Sequence, residues 1–264
     1  MREDNNIDRV ARAFVDARKQ ARPLAIFPGD KPRDLHEAYA TQDAALRIDG
    51  RRPIGWKVGR ILSPLDGKLG ANRLSGPIFA ETVQWAEPIA EPEMAVFGAG
   101  FAAVEAEFLM HVCAGWSGRP PLDADAARTL VDAVHLGLEI ASSPYPAINT
   151  DGPLVTISDF GNNCGLVIGR AIEEWDALDL AAIRVATFIN DELVGQGEAG
   201  VLPGGPFEAV RFLLTNLSAR GIAMENGFWV STGAITGVHP VDVGARACAR
   251  FTGLGDVACR IRAL

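Results

Sequence analysis

The sequence lacks the features that mark several large protein classes. Glycine, proline or a charge interrupts every apolar stretch before the roughly 18 to 20 residues that a membrane-spanning helix needs. No basic run accompanies the formal net charge of -8, so the composition gives no sign of binding along nucleic-acid phosphates. The charged N-terminal segment has no apolar core of the kind found in secretory signals. We therefore expect a cytoplasmic protein with neither a nucleic-acid nor a membrane partner.

Motifs of several common enzyme chemistries are also missing. The 4 cysteines form no CxxC pair and are too sparse for a disulfide scaffold, so reduced thiols are expected. The sequence contains no GxxxxGK[ST] phosphate loop and no GxSxG nucleophile elbow. Its 4 histidines do not have the HExxH spacing of zinc proteases. Phosphoryl transfer, serine hydrolysis and zinc-protease chemistry are therefore disfavoured.

The patterns that are present indicate an α+β protein. Apolar residues recur at helical spacing over 7–20 and again over 34–48, where Asp34 is available as N-cap. Beyond Pro53 the chain changes to short β-rich runs separated by glycine and proline. The sequence therefore predicts a helical N-terminal region over 1–52 and a β-rich catalytic body over 53–264.

Two further helices are predicted within this body. One follows an Asp cap and extends over 123–137, where apolar residues keep a helical period. The other extends over 206–221, with Gly221 as its C-terminal stop. The segment from Asp159 to Gly169 has the composition of a polar turn joined to a short apolar strand.

Three glutamates form a candidate metal site. Glu105 and Glu107 lie two residues apart in FAAVEAEFLM, so a strand would point both side chains to one face. This pair alone also fits an ordinary half-buried strand with a solvated acidic face. Glu139, however, lies inside the apolar run HLGLEIAS, where a carboxylate is costly unless it is paired or binds a cation. Three carboxylates suit Mg2+ or Mn2+.

Lys57 is a second candidate functional residue. It lies within the strand-like run IGWKVG, and alternation along a strand points its side chain away from those of Trp56 and Val58. The ammonium group would either extend to solvent or supply positive charge to an anionic substrate.

Seven segments, taken in their order along the chain, resemble the 2-keto-4-pentenoate hydratase and 4-oxalocrotonate decarboxylase family of the fumarylacetoacetate hydrolase superfamily. These segments are AYATQ, GWKVG, LGANRLSGPIF, VEAEF, LEIASS, DFGNNCGLVIG and STGAITGVHPVDVG. The resemblance spans nearly the whole chain. It implies a mixed β-sheet roll or barrel body of the fumarylacetoacetate hydrolase type, a small helical N-terminal region, and assembly into a homo-oligomer.

The resemblance also implies a metal-centred active site. Glu105, Glu107 and Glu139 would hold Mg2+ or Mn2+, which would chelate the carboxylate and 2-oxo oxygens of a small 2-oxo or 2-hydroxydienoic acid. Lys57 would lie beside that acid, where its ammonium could pair with the carboxylate or take part in proton transfer.

Three further residues are candidate substrate contacts by the same resemblance. Thr232 begins a Thr-Gly-Ala turn where the family has Thr-Gly-Ser. The acidic residue that the family usually carries in the loop after LGV is replaced here near Ser75, which removes a candidate proton-transfer group. Asp159 is followed by Phe160, whereas Asp-Asn is common in the family. These departures predict an atypical substrate.

The activity implied first is hydration of a 2-hydroxy-2,4-dienoate, of the 2-oxopent-4-enoate type, to a 4-hydroxy-2-oxo acid. Three alternatives remain open at this point. They are decarboxylation of a 2-oxo diacid such as 4-oxalocrotonate, C–C hydrolysis of an acylpyruvate, and a noncatalytic relative that binds metal and ligand without turnover.

Overall fold

The computed structural model describes residues 2–86 and 90–264. The helices are α1 (Arg2–Lys19), α2 (Leu35–Asp49), α3 (Leu65–Leu69), α4 (Ala124–Arg128), α5 (Pro153–Ser158) and α6 (Pro206–Ala219). The strands are β1 (Pro53–Arg60), β2 (Arg73–Phe79), β3 (Val83–Trp85), β4 (Glu93–Val96), β5 (Phe101–Val112), β6 (Val131–Ser143), β7 (Asn163–Ala171), β8 (Arg184–Ile189), β9 (Glu192–Glu198), β10 (Phe228–Ser231), β11 (His239–Pro240), β12 (Arg246–Phe251) and β13 (Gly255–Ala263).

Two mixed sheets form the body. The larger sheet has the order β2-β1-β10-β5-β6-β7-β3, with β11 paired to β5, and the smaller has the order β4-β13-β12-β8-β9. In the larger sheet β1 and β10 are parallel, whereas the long strands β5 and β6 are antiparallel. The predicted α+β class with a mixed-sheet body is confirmed. Neither sheet closes into a barrel within the described part of the chain.

The main hydrophobic core determines which way β5 faces. It joins apolar side chains of both sheets with the buried face of α6. Val104, Ala106 and Phe108 of β5 are completely buried in it, and the Phe108 ring lies 5.4 Å from that of Phe251 in β12. Because side chains alternate along a strand, the residues between them in β5 project from the opposite face of the sheet.

The two predicted N-terminal helices are present as α1 and α2. Asp34 caps α2 by accepting a hydrogen bond from the Glu37 backbone N, and Gly50 ends the helix in a left-handed conformation (φ 80°). Apolar residues of both helices share a cluster with Phe79 and Phe160 of the body. The division of the chain into parts 1–52 and 53–264 stays a prediction. Among the described residues, no helix has the length and apolarity to cross a membrane.

The helix predicted over 123–137 is wrong beyond Arg128. Asp123 does cap a helical turn, since its carboxylate accepts a hydrogen bond of 2.8 Å from the Ala126 N. From Val131, however, the chain pairs with β5 along the length of β6. A buried apolar run of this kind is compatible with both a helix and a central strand. Here it forms a strand because it pairs with the long neighbouring strand β5. The helix predicted over 206–221 is confirmed as α6.

Candidate metal centre and active site

Pairing of β5 with β6 brings the three glutamates together. Glu105 lies directly opposite Glu139, and Glu107 lies opposite Gly137. One carboxylate oxygen from each glutamate lies within 4.8 Å of the others. All three residues are buried, with exposed fractions of 4% for Glu105 and 0% for Glu107 and Glu139. Like charges facing each other across strands repel, so this cluster needs a positive partner.

Glu107 is anchored through only one of its carboxylate oxygens. Its Oε2 accepts hydrogen bonds from the Ser231 hydroxyl at 2.5 Å and from the Gly233 backbone N at 2.8 Å. Its buried Oε1 accepts no hydrogen bond from the described residues. A buried acceptor without a partner costs about 1 to 3 kcal/mol, and more if it is charged. This oxygen is therefore suited to a cation.

Glu139 has the same one-sided arrangement. Its Oε1 accepts a hydrogen bond of 3.1 Å from the Asn163 side-chain amide and lies 3.3 Å from the Lys57 ammonium. Its buried Oε2 has no hydrogen-bond partner among the described residues. Together with the Glu105 carboxylate, these two buried oxygens give the cluster a set of hard oxygen donors. This donor set fits Mg2+ or Mn2+, as predicted.

The protonation of the cluster follows from its burial. Burial raises the pKa of Glu105 to about 7; the Lys57 ammonium lowers it in part, and the Glu139 carboxylate adds to the rise. Burial and then the neighbouring carboxylates of Glu139 and Glu105 hold the pKa of Glu107 well above its usual range. Without a cation, the fold therefore favours protonated forms of these two carboxyl groups.

We expect the metal-free protein to lose stability as pH rises from about 4.5 to about 7. In this range the folded chain binds more protons at Glu105 than the unfolded chain, so the free energy of unfolding decreases with pH. Glu105→Gln, which cannot titrate there, should gain stability relative to the wild type over the same range. Urea denaturation in chelator at several pH values measures this difference, and a difference independent of pH would contradict the prediction. Bound Mn2+ should remove the effect, because metal ligands must be deprotonated.

Lys57 places a positive charge next to the three glutamates. It lies in β1 with an exposed fraction of 3%, and its ammonium is 3.3 Å from Glu139 Oε1 and 3.4 Å from Asn162 Oδ1. Burial alone would lower the pKa of Lys57, but the carboxylates of Glu139, Glu105 and Glu107 outweigh it and raise that pKa above its ordinary value. Lys57 is therefore a buried ammonium group that keeps its proton and can donate hydrogen bonds.

The turn before β7 and the first residue of that strand supply the two asparagines of the site, Asn162 and Asn163. Its backbone is left-handed at Phe160 (φ 54°), Gly161 (φ 64°) and Asn162 (φ 57°), which is costly for side chains other than glycine. A Cβ on Gly161 would lie 2.9 Å from Gly76 Cα and 3.1 Å from Lys57 Cδ. The turn thus packs closely on β2 and directs Asn162 toward Lys57.

Arg18 of α1 holds this turn in place. Its guanidinium donates to the two carboxylate oxygens of Asp159 at 2.5 and 3.0 Å and to the Asn163 carbonyl at 2.9 Å. Asp159 is therefore engaged in a buried ion pair behind the asparagines. Sequence reasoning missed Arg18, since 141 residues separate it from Asp159 and no local pattern marks the contact. The asparagines were within a recognised segment but were interpreted as turn residues.

A cavity of about 580 Å3 opens beside the cluster. Lys57, Glu105 and Asn162 line its polar end, and apolar side chains dominate elsewhere on the wall. A neighbouring hollow of about 740 Å3 is lined by none of the three glutamates, although the two share Arg60, Ala234 and Gly237. The cavity that contains Lys57 and Glu105 is therefore the candidate substrate site.

The three predicted substrate contacts are not among the residues that line this cavity. Thr232 is buried and donates to the Phe108 carbonyl at 2.9 Å. Ser75 faces the helices instead, since its hydroxyl donates to Asn216 Oδ1 of α6 at 3.0 Å. Leu74 and Ala234, from the same two segments, are on the cavity wall. Roles for Thr232, Ser75 and Asp159 in substrate binding stay predictions.

Comparison with known proteins gives consistent likenesses over the whole chain. No family model matches it. It is 24% identical over 264 residues to the 2-hydroxyhexa-2,4-dienoate hydratase of Comamonas testosteroni, covering 97% of each chain. It is 26% identical over 229 residues to 2-keto-4-pentenoate hydratase 1 of Dechloromonas aromatica (strain RCB), covering 85% of this chain and 84% of that one. The structure of 4-oxalocrotonate decarboxylase from Pseudomonas putida G7, complexed with magnesium and adipate, superposes with a TM-score of 0.81 at 21% identity over 98% of each chain, which shows a shared fold.

Proposed function

Because the chain belongs to the 2-keto-4-pentenoate hydratase and 4-oxalocrotonate decarboxylase family of the fumarylacetoacetate hydrolase superfamily, we propose that it is a metal-dependent lyase that hydrates a 2-hydroxy-2,4-dienoate to a 4-hydroxy-2-oxo acid. The observation that carries this proposal is the cluster of three buried glutamates beside a buried ammonium at one end of a mainly apolar cavity. Such a site suits a substrate with a chelating acid head and a hydrocarbon diene tail.

The cation site would consist of Glu105, Glu107 and Glu139. Their carboxylate oxygens, two of which are buried without a hydrogen-bond partner among the described residues, would hold Mg2+ or Mn2+ at the buried end of the cavity. When bound, such a cation supplies Lewis-acid polarisation of the carboxylate and 2-oxo oxygens of the substrate. Ser231 and Asn163 keep two of the three carboxylates in fixed orientations, so the site is preorganised for one binding geometry.

Lys57 would act on the substrate from the side of the cavity. Its ammonium is held between Glu139 and Asn162, so it can donate a hydrogen bond to an anionic oxygen of a bound 2-oxo acid without a change of position. It would also take part in the proton transfer that converts the dienol to the enone, in which the far carbon gains a proton and the enol oxygen loses one. The apolar wall opposite, which includes Ile61 and Leu74, would contact the diene and limit access of bulk water.

The proposal is tested by incubating purified protein with freshly generated 2-hydroxypenta-2,4-dienoate. We expect loss of the dienol ultraviolet absorbance with formation of 4-hydroxy-2-oxopentanoate, in the presence of Mg2+ or Mn2+ and not in excess chelator. A parallel assay measures CO2 released from 2-hydroxymuconate. Release of CO2 without hydration would replace the hydratase assignment by the decarboxylase, and no turnover of either acid would defeat both.

Lys57→Met supplies the internal control for this assay. The variant keeps the length of the side chain but removes the charge, so kcat should fall by about a hundredfold or more. Affinity for Mn2+ should remain or increase, because an ammonium that competes for Glu139 is gone. Unchanged turnover in Lys57→Met would exclude a role for Lys57 in proton transfer.

A further inference from the structure

Two side-chain amides form a chain of hydrogen bonds that starts at Lys57. The Lys57 ammonium donates to Asn162 Oδ1 at 3.4 Å, and Asn162 Nδ2 donates to Asn149 Oδ1 at 3.0 Å. All three residues line the candidate substrate cavity. An ammonium group has donors and no acceptor, so its contact fixes which end of the Asn162 amide is the oxygen. The hydrogen bond from Asn162 fixes the Asn149 amide in the same way. Every donor in the chain therefore points away from Lys57.

The chain ends in an NH2 group on the wall of the cavity. Asn149 is exposed there, its Oδ1 is occupied by Asn162, and its Nδ2 takes part in none of the hydrogen bonds among the described residues. Hydrogen bonds in a chain polarise one another, so the positive charge of Lys57 makes this terminal NH2 group a stronger donor. An amide NH2 group donates and cannot accept. The group is therefore suited to an oxygen acceptor within the cavity.

The segment that carries Asn149, residues 144–152 between β6 and α5, is anchored on both sides of this residue. Before it, Ile148 is completely buried in a hydrophobic cluster with residues of α1, and the Ile148 carbonyl accepts a hydrogen bond of 3.1 Å from the Thr156 hydroxyl. After it, the Asp151 carboxylate accepts a hydrogen bond of 2.6 Å from the Tyr145 hydroxyl. The donor at the end of the chain is thus held in place before any ligand binds, as electrostatic catalysis requires.

We propose that Asn149 binds the oxygen atom that hydration attaches to C4 of the substrate, first in the attacking water and then in the product hydroxyl. The inference rests on the proposed function, because it places the carboxylate and the 2-oxo group at the three glutamates. Water adds OH to C4 of the enone and H to C3, so the step needs no further reactant. C4 lies two bonds beyond the 2-oxo carbon, and Asn149 lies one amide beyond Asn162 along the chain from Lys57. The donor and the reacting carbon therefore follow the acid head in the same order.

The binding test compares two acids that differ only in this oxygen, 4-hydroxy-2-oxopentanoate and 2-oxopentanoate. Calorimetry with the Mg2+-loaded protein measures the affinity for each. We expect the tighter-binding enantiomer of the hydroxy acid to bind about fivefold more strongly than 2-oxopentanoate. Asn149→Ala should remove this preference by weakening the hydroxy acid alone, and normal binding of 2-oxopentanoate shows that the variant is folded. Asn226→Ala, which removes another exposed asparagine outside the cavity, is the matched control and should keep the preference. Equal affinities in the wild type, or equal weakening of both acids by Asn149→Ala, would overturn the proposal.

The kinetic test uses the fact that 2-hydroxypenta-2,4-dienoate carries no oxygen at C4. Asn149→Ala should therefore leave KM for the dienol within about twofold, while kcat for formation of 4-hydroxy-2-oxopentanoate falls by about tenfold or more. Conversion of the dienol to the enone should continue, so that 2-oxopent-3-enoate accumulates. Asn149→Asp, which keeps the shape and the hydrogen bond from Asn162 but offers no N–H, should have the same effect. Equal slowing of dienol loss and product formation would overturn the assignment of Asn149 to the water.

The two proposals fail separately in these measurements. A preference for the hydroxy acid that depends on Asn149, without turnover of the dienol by the wild type, would overturn the lyase and support binding of an oxygen by Asn149. Hydration of the dienol at an unchanged rate in Asn149→Ala would support the lyase and overturn the role of Asn149.

Discussion

Replacement of Glu107 by glutamine is expected to weaken Mn2+ binding by about a hundredfold or more. The Ser231 hydroxyl and the Gly233 N–H both donate to one oxygen of Glu107, so that position accepts only the amide oxygen of a glutamine. The NH2 group is then directed to the position of Oε1, where it cannot act as a ligand. The substitution thus removes a charge and a donor atom together, a larger loss than the roughly 10- to 100-fold effect of disturbing a residue that only supports a ligand.

The measurement is titration calorimetry with Mn2+, with the unfolding temperature in chelator as a second readout. Because the pKa of Glu107 is held well above its usual range, glutamine imitates its protonated form. The metal-free variant should therefore remain folded and as stable as the wild type near neutral pH. Glu192→Gln, an exposed substitution in β9, is the matched control and should bind Mn2+ normally. Normal Mn2+ affinity in Glu107→Gln would exclude Glu107 as a ligand.

The second large effect is expected at Arg18, far from the cluster in sequence. Arg18→Met should lower the free energy of unfolding by about 3 to 5 kcal/mol, because it leaves the Asp159 carboxylate buried without its partner. The Asp159 side chain is 0% exposed and that of Arg18 is 11% exposed, so water cannot replace the lost contacts. Urea denaturation in chelator measures the loss without the contribution of bound metal.

A double variant shows whether the loss arises from the unpaired charge. Arg18→Met with Asp159→Asn removes both charges and should recover a large part of the lost stability. Mn2+ affinity should be reduced in both the single and the double variant, because Arg18 also donates to the Asn163 carbonyl, and the Asn163 side chain orients Glu139. A decrease below about 1 kcal/mol in Arg18→Met would indicate a solvated pair instead.

The cluster of glutamates was predictable because two local rules were sufficient. Alternation along β5 placed Glu105 and Glu107 on one face, and the apolar neighbours of Glu139 indicated that its carboxylate was buried. The structure brings all three together through one antiparallel strand pair. Their role as metal ligands stays a prediction. Lys57 was located in the same way, although only the fold shows that its ammonium is buried among carboxylates.

The residues that line the cavity could not be predicted from the same local patterns. A shift of one residue along a strand turns every side chain to the other face, so recognising a segment does not determine which of its residues faces the substrate. The recognised segments contain Ser75 and Thr232, but the cavity is lined by Leu74, one residue before Ser75, and by Ala234, which lies in the loop after β10. The role of Arg18 could not be predicted at all, since only tertiary packing brings α1 to the turn that begins at Asp159. The misassigned helix over 123–137 had the same cause, because pairing with β5 overrode a local pattern.

The close packing of the left-handed turn on β2 limits how this site can evolve. A Cβ at residue 76 would lie 2.1 Å from the Phe160 carbonyl oxygen, and one at residue 161 would press on residue 76 in return. Neither glycine touches the substrate cavity, yet neither can acquire a side chain unless the turn that presents Asn162 to Lys57 moves away. Positions 76 and 161 therefore both require glycine as long as the turn packs on β2. Related proteins that exchange residues of the cavity wall, such as Leu74, to accept new acids should still carry the glycine pair, and those that have lost the pair should also have lost the contact between Asn162 and Lys57.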